Sequence, residues 1–255
     1  MDGVMDSSYE VCQTSDGSAT LISSFYGQAY HSQKDGAWNE TLYKHIVPIF
    51  SHHRDKSHIA LLDICFGLGY NTLMTLWYND TVAHKHVTLY SVEMDEALLD
   101  SLKTFLYPEA FAPYMQILHT LIESGSYVDE SYTLTLYRGD ARDFIPTLPN
   151  AIDGVYQDPF SPDVNPLLWS VEYFADIARA MRDDALLTTY SVALRSRLAL
   201  YANGLLPHLA HNAFCRDFTV ASKSTLEEYT LVDMEHKIAT NPTVKPIYDA
   251  DCSTL

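Results

Sequence analysis

Between His58 and Tyr78 the chain reads HIALLDICFGLGYNTLMTLWY, and no other stretch restricts the possible folds as much. An apolar run, Ile59 to Ile64, is bounded by Asp63 and by a Gly67-Leu68-Gly69 turn, after which Leu73, Leu76 and Trp77 recur at helical spacing. The spacing predicts strand, glycine loop and helix, the first unit of a nucleotide-type α/β domain. Two glycines let backbone N–H groups approach a ligand closely, and the helix start adds partial positive charge. Taken alone, such a loop is as often a plain strand-to-helix turn. Here the next strand, in HVTLYSVEMD, ends on an acidic residue, Glu93, while Thr72 stands where a dinucleotide site would carry its third glycine. That combination favours S-adenosylmethionine.

The rest of the chain supplies the partners such a unit needs. Residues 9 to 32 alternate β-prone pieces with turns, at Ser15-Asp16-Gly17-Ser18 and at Gly27, and predict a hairpin arm. Ala37, Leu42, Ile46 and Ile49 then suggest a helix. Past Glu93, Asp95 is a plausible N-cap for a helix carrying Leu98, Leu99, Leu102 and Phe105, and a second helical segment covers about 111–127. YTLTLYRGD is a third strand ending at Asp140, which is read equally as a cap for ARDFIPTL and as a ligand contact. AIDGVYQDPF is a fourth strand, running into the proline-punctuated QDPFSPDVNPLLW. DALLTTYS gives a fifth strand, Val192 to Ala202 a helix, and AFCRDFTVASK with EEYTLVDM a final pair; little periodicity follows Met234.

Open α/β sheets bind ligands outside the carboxyl ends of their strands, where Asp63, Glu93, Asp140 and Asp158 would converge. For Asp158 the alternative is a simple turn cap before Pro159. Four carboxylates in one crevice suit the ribose hydroxyls and the ammonium of S-adenosylmethionine, and also an amine acceptor.

A hydrophobic fraction of 47% over 255 residues allows one large core, and the expected division is an amino-terminal arm and helix over 1–50, the main domain over 51–240, and a tail over 241–255. The net charge of −17 disfavours general attraction to nucleic acid or anionic membrane. Arg195, Arg197, Arg216 and Lys223, set against only Asp217, form the one basic stretch, either a solvated face or a surface for a polyanion. Cys12, Cys65, Cys215 and Cys252 show no C-x-x-C pair, so neither zinc nor a disulfide framework is signalled and no metal is expected. With no membrane-length apolar run and no secretion signal in MDGVMDSSYE, the expected location is the cytoplasm.

YHSQKDGAWNETLYKH, LLDICFGLGYNTL, SVEM, YRGDARD and QDPFSPDVNPLLWSVEYF, in that order, resemble the methyltransferase domain of the MnmC-type tRNA-modifying enzymes. The likeness runs from about Asp16 to about Lys223, and its most specific part is the block from Asp158 to Trp169. It implies the class I methyltransferase fold: a mixed seven-stranded Rossmann-like sheet with helices on both faces, here with the hairpin arm. It also implies methylation, with S-adenosyl-L-methionine, of the aminomethyl group of a modified wobble uridine in tRNA. Asp63, Gly67, Gly69, Asn71, Glu93, Asp140, Ala141 and Asp158 become cofactor contacts, with Asp158 also catalytic. Tyr30, His31, Ser32 and Phe160 become substrate contacts, although Tyr30 to Ser32 read alone as a polar loop and Phe160 equally as core. Two-domain members carry a flavin-dependent oxidase, so no flavin is expected here and upstream tRNA-modifying enzymes would supply the aminomethyl group. The alternatives are a small-amine N-methyltransferase, a polyamine aminopropyltransferase-like enzyme, and a non-enzymatic binding protein on a cofactor fold.

Overall fold

A computed structural model describes residues 9–252; residues 1–8 and 253–255, the outer ends of the expected arm and tail, lie outside the described residues. Strands β1 (Tyr9–Gln13) and β2 (Ala19–Ser23) pair antiparallel across the Ser15-to-Ser18 turn, and β3 (Gln28–Ala29) joins β2, so the arm is a three-stranded sheet rather than a hairpin alone. Asp16 ties this turn to the helix that follows. Its carboxylate accepts from the Ser18 N–H at 3.0 Å and from the Asn39 N–H at 2.9 Å, the latter an orphan donor of the first helical turn. Gly36 has φ of 92°, and a Cβ there would fall on the Asp16 carboxylate. Helix α1 (Ala37–Glu40) passes through a π-helical stretch (Thr41–Ile46) into α2 (Val47–His52).

The main sheet starts with β4 (His58–Ile64), whose side chains beyond His58 are all buried, as a central parallel strand requires. Helix α3 (Tyr70–Tyr78) follows the glycine loop, then β5 (His86–Glu93), α4 (Glu96–Ser101), a 3₁₀ turn (Glu109–Tyr114), α5 (Met115–Ser124), β6 (Ser126–Val128) and β7 (Tyr132–Arg138). Next come α6 (Ala141–Phe144), β8 (Ile152–Gln157), α7 (Val171–Ala180), β9 (Met181–Thr189) and α8 (Leu194–Ala202). The chain closes with β10 (Leu206–Ala210), β11 (Phe218–Ser222), β12 (Thr230–Leu231) and α9 (Met234–Thr240).

These strands order as β12-β10-β11-β9-β8-β4-β5-β7-β6, parallel from β9 through β7 and antiparallel at both margins. The seven strands from β10 to β7 are the expected class I sheet, and the short β12 and β6 extend it at its two edges. Three local expectations change. The partner of β11 is β10, not the EEYTLVDM segment, of which only Thr230 and Leu231 pair, and with β10. The second helical segment ends at Ser124, where Gly125 turns left-handed into β6. Beyond Met234 the chain forms α9 and then docks: the Ile247 carbonyl accepts from the Val171 N–H at 2.8 Å, and Arg142 pairs with Asp249.

Alternation along β4 divides the core between the two faces of the sheet. Leu61 packs in one cluster with Ile49, Leu73 and Phe111, while Leu62 packs in the other with Val155, Trp169 and Phe174. Gly154 on β8 lets α2 sit tightly on the sheet, since a Cβ there would lie 2.5 Å from Ile49 Cγ2. Among the described residues no helix is long and apolar enough to cross a membrane.

Candidate active site

The carboxyl ends of β4, β5, β7 and β8 open into a cavity of about 1130 Å³, which the arm covers from the far side. Immediately after β4 the backbone turns left-handed at Cys65 (φ 63°), Gly67 (φ 54°) and Gly69 (φ 71°). Gly69 starts α3, and a Cβ on Gly67 would press on the Tyr30 ring of the arm at 3.3 Å. Glu93, at the end of β5, closes this loop from the next strand. Its Oε2 accepts from the Gly67 N–H, and its Oε1 from the Met94 and Asp95 N–H groups, all at 2.9 Å. Burial pushes the Glu93 carboxyl up, and these three donors offset only part of that.

Gly67, Asn71, Glu93, Asp140, Ala141 and Asp158 line the cavity, as do Tyr30, His31, Ser32 and Phe160 from the expected substrate set. Asp63 and Gly69 do not. Asp63 is fully buried beneath Asn71, accepting from Asn71 Nδ2 at 3.0 Å and from the Ser91 hydroxyl at 3.2 Å. Burial raises its pKa to about 7, with the Asp158 charge adding to the rise and the Asn71 and Ser91 donors opposing it. Asp63 therefore lies under the cavity floor and orients Asn71. Asp140 has two roles at once: it lines the cavity while its Oδ1 accepts from the Arg142 N–H at the start of α6.

Asp158 follows β8 with its side chain only 11% exposed. Asn71 Nδ2 lies 3.4 Å from its Oδ2, and His45 Nε2, from the π-helical stretch, lies 3.6 Å from its Oδ1. Burial raises the Asp158 pKa, yet the His45 ring beside it, followed by His31 and Asn71, outweighs that and holds the group below the usual carboxylate range. Aromatic rings gather on the loop that follows it. Tyr26 and Tyr30 of the arm lie 4.5 and 4.9 Å, centroid to centroid, from Phe160, and Tyr190 donates to the Pro159 carbonyl at 2.9 Å. Gln28 fastens the arm to the same loop through Ser161, donating to its hydroxyl at 2.7 Å and accepting from its N–H at 3.2 Å.

Ser32 sits at the edge of a buried ionic group. Lys44 Nζ contacts Asp35 at 2.9 Å and Glu40 at 2.7 Å, and Arg216 reaches Asp35 at 3.1 Å and the Ser32 hydroxyl at 2.9 Å. This removes most of the expected basic face: Arg216 is committed to Asp35, Arg197 is buried with its Nε on Thr219, and Lys223 donates to the Met181 carbonyl. Arg195 and Arg216 are the exposed members of that set, and Arg216 is held by Asp35. Tyr26, His45, Tyr190 and Arg216 were not foreseen as site residues. Tyr190 follows β9 at a strand carboxyl end, the position that drew attention to Asp158, whereas His45 lies between Leu42 and Ile46 and carries no such signal.

The cavity suits S-adenosylmethionine on its own chemistry: carboxylates for hydroxyls and an ammonium, a glycine loop allowing close backbone approach, and Asn71 Oδ1 buried without a hydrogen-bond partner among the described residues. The strand order and this site define a class I S-adenosylmethionine-dependent methyltransferase. Residues 106–224 match a family model described as S-adenosyl-L-methionine-dependent methyltransferase. The crystal structure of MNMC2 from Aquifex aeolicus superposes with a TM-score of 0.79 at 30% identity, over 99% of this chain and 82% of that one. An uncharacterized protein of Methanocaldococcus jannaschii is 29% identical over 92% of this chain and 60% of its own length. The tRNA 5-methylaminomethyl-2-thiouridine biosynthesis bifunctional protein MnmC of Aromatoleum aromaticum is 31% identical over 75% of this chain and 31% of its own length. The chain thus spans 60% of the first of these two relatives and about a third of the second. It belongs to the MnmC-type methyltransferase family.

Proposed function

We propose that the chain transfers a methyl group to the amine of an aminomethyl substituent on a wobble uridine in tRNA, working in the cytoplasm. The observation that carries this reading is the nearly buried Asp158 carboxylate in one cavity with the packed rings of Tyr26, Tyr30 and Phe160. A carboxylate selects an amine, and aromatic faces accept a planar base splayed out of an RNA loop. The relatives named for tRNA 5-methylaminomethyl-2-thiouridine biosynthesis supply the nucleoside.

Bound S-adenosylmethionine supplies a methyl group already activated on a sulfonium. The protein's work is to hold the cofactor, align a neutral amine and exclude water. Glu93 would accept from the ribose hydroxyls, Gly67 and Asn71 would hold the methionine end, and Asp140 with Ala141 would border the adenine. Asp158 accepts an N–H bond from the amine and takes the proton it sheds; an alkylamine is mostly protonated near neutral pH, so the carboxylate also favours its approach. Tyr30, His31, Ser32 and Phe160 bound the acceptor. With net charge −17 and the basic stretch largely consumed, phosphate contacts fall to the cavity rim, where Lys34 stands.

Asp158→Asn tests the assignment. Single-turnover methyl transfer should fall ~10²–10⁴-fold with cofactor affinity nearly unchanged, and raising the pH should recover part of the loss by supplying neutral amine. Lost cofactor binding with turnover intact at saturating cofactor would make Asp158 a methionine-ammonium ligand instead.

A further inference from the structure

His45 is fully buried, 113 residues from Asp158 in sequence, and the hydrogen-bond directions around it fix which nitrogen bears a proton. The Thr188 hydroxyl of β9 donates to the Val155 carbonyl at 3.3 Å, and a carbonyl can only accept. Having one proton to give, that hydroxyl must accept at its other contact, His45 Nδ1 at 2.9 Å. Nδ1 therefore carries hydrogen. The remaining nitrogen, Nε2, has no hydrogen-bond partner among the described residues and lies 3.6 Å from Asp158 Oδ1. A bare lone pair facing a carboxylate at that distance repels it, and an N–H⁺ attracts it.

The surroundings give the ring no other charge to answer to at that nitrogen. Tyr156 of β8 packs edge-on at 5.7 Å, Asp63 of β4 lies behind Asn71, His31 faces Asp158 from the arm, and Glu40 and Lys44 on the ring's own helical segment are engaged with each other and with Asp35. Asp158 in turn shares Asn71 with Asp63, one amide NH₂ drawing two carboxylates together. Two carboxylates this close favour one being neutral, and a cation beside Asp158 decides that Asp158 is the charged one.

We propose that His45 is a positioning residue that holds Asp158 as a carboxylate at the cavity wall, through an Nε2–H oriented by the Thr188 anchor on Nδ1. The inference rests on the amine-acceptor reading for its consequence, while the pairing itself is independent of any acceptor. His45 touches neither cofactor nor substrate and acts only through Asp158.

Long-range ¹H–¹⁵N NMR of the full chain, labelled at histidine and titrated with pH, reads the pairing directly. The His45 signals are assigned by their loss in His45→Gln or, should that variant not fold, by their shift in Thr188→Val. The expected result is Nδ1 protonated throughout, Nε2 titrating, and a midpoint lowered by roughly 1–3 units in Asp158→Asn, the usual effect of an opposite charge at this range. In single-turnover methylation, His45→Gln should move the acid limb upward by a similar amount, with cofactor affinity unchanged. An unchanged Nε2 midpoint in Asp158→Asn, or a bare Nδ1, overturns the proposal. Coupled titration together with no transfer to an aminomethyl tRNA by the parent protein supports the pair and overturns the acceptor reading instead.

Discussion

Replacing Glu93 separates what it does for the loop from what it does for the cofactor. In the folded chain its two oxygens satisfy three backbone donors, Gly67, Met94 and Asp95, each at 2.9 Å. Glu93→Ala leaves all three without that acceptor. A hydrogen bond to a charged group contributes about 1.5–3 kcal/mol, but Met94 is exposed and water can replace the carboxylate there, so a loss of about 2–4 kcal/mol is the reasonable sum. Glu93→Gln is the sharper variant: one oxygen still serves Met94 and Asp95, while an NH₂ meets the Gly67 N–H donor to donor. The destabilisation should then be smaller, and the glycine loop should still be displaced. Urea denaturation gives the stability change, and calorimetry with S-adenosylmethionine gives the affinity, expected to fall about ten-fold or more in both variants, which is about 1.4 kcal/mol or more. Full stability in Glu93→Ala would refute the loop-closing role, and unchanged affinity in both would remove Glu93 from the cofactor site.

Two further outcomes follow from buried charge. Asp63 has its pKa raised to about 7 in the fold, against ~3.9 for an unfolded aspartate; the stability it contributes is fully present below pH ~4 and is lost as pH rises through about 7, by at most about 4 kcal/mol. Asp63→Asn should flatten that part of the stability profile in urea titrations, and an unaltered slope between pH 4 and 7 would show that Asp63 does not titrate there. Lys44→Met leaves Glu40 without its cation at 7% side-chain exposure and Asp35 with Arg216 alone, and should cost about 3 kcal/mol, read as a lowered Tm, with the loss easing as pH falls and Asp35 protonates. A loss independent of pH would point to packing alone.

Much of this architecture was legible because it repeats locally. The glycine loop after an apolar strand, the carboxylate ending the next strand, and the proline-bounded segment after Gln157 all announce themselves in the sequence, and all lie at one edge of the sheet. What sequence spacing does not carry is how far out along its strand a side chain sits: Asp63 lies inside β4, level with Tyr156 of β8, and beneath Asn71, whereas Asp158 falls two residues further out, past the end of β8, and reaches the cavity. Strand β10 escaped notice because Pro207 and His208 break the apolar alternation, and β12 is only two residues long. The basic stretch misled for a related reason. Arg216 is neutralised by Asp35, 181 residues away, a pairing no local charge count detects. His45 belongs to the same class, since its importance depends on a partner that only the fold brings near.

The acceptor itself is the most direct test of the central claim. Purified chain would be given labelled S-adenosylmethionine with tRNA bearing 5-aminomethyl uridine at the wobble position, with the same tRNA lacking that group, and with spermidine, and the tRNA digested to nucleosides for mass analysis. The account predicts one methyl group added, on the side-chain nitrogen of the wobble nucleoside, and none on the unmodified tRNA or the polyamine. Methylation of a ring or ribose atom, or preferential reaction with spermidine, would contradict it.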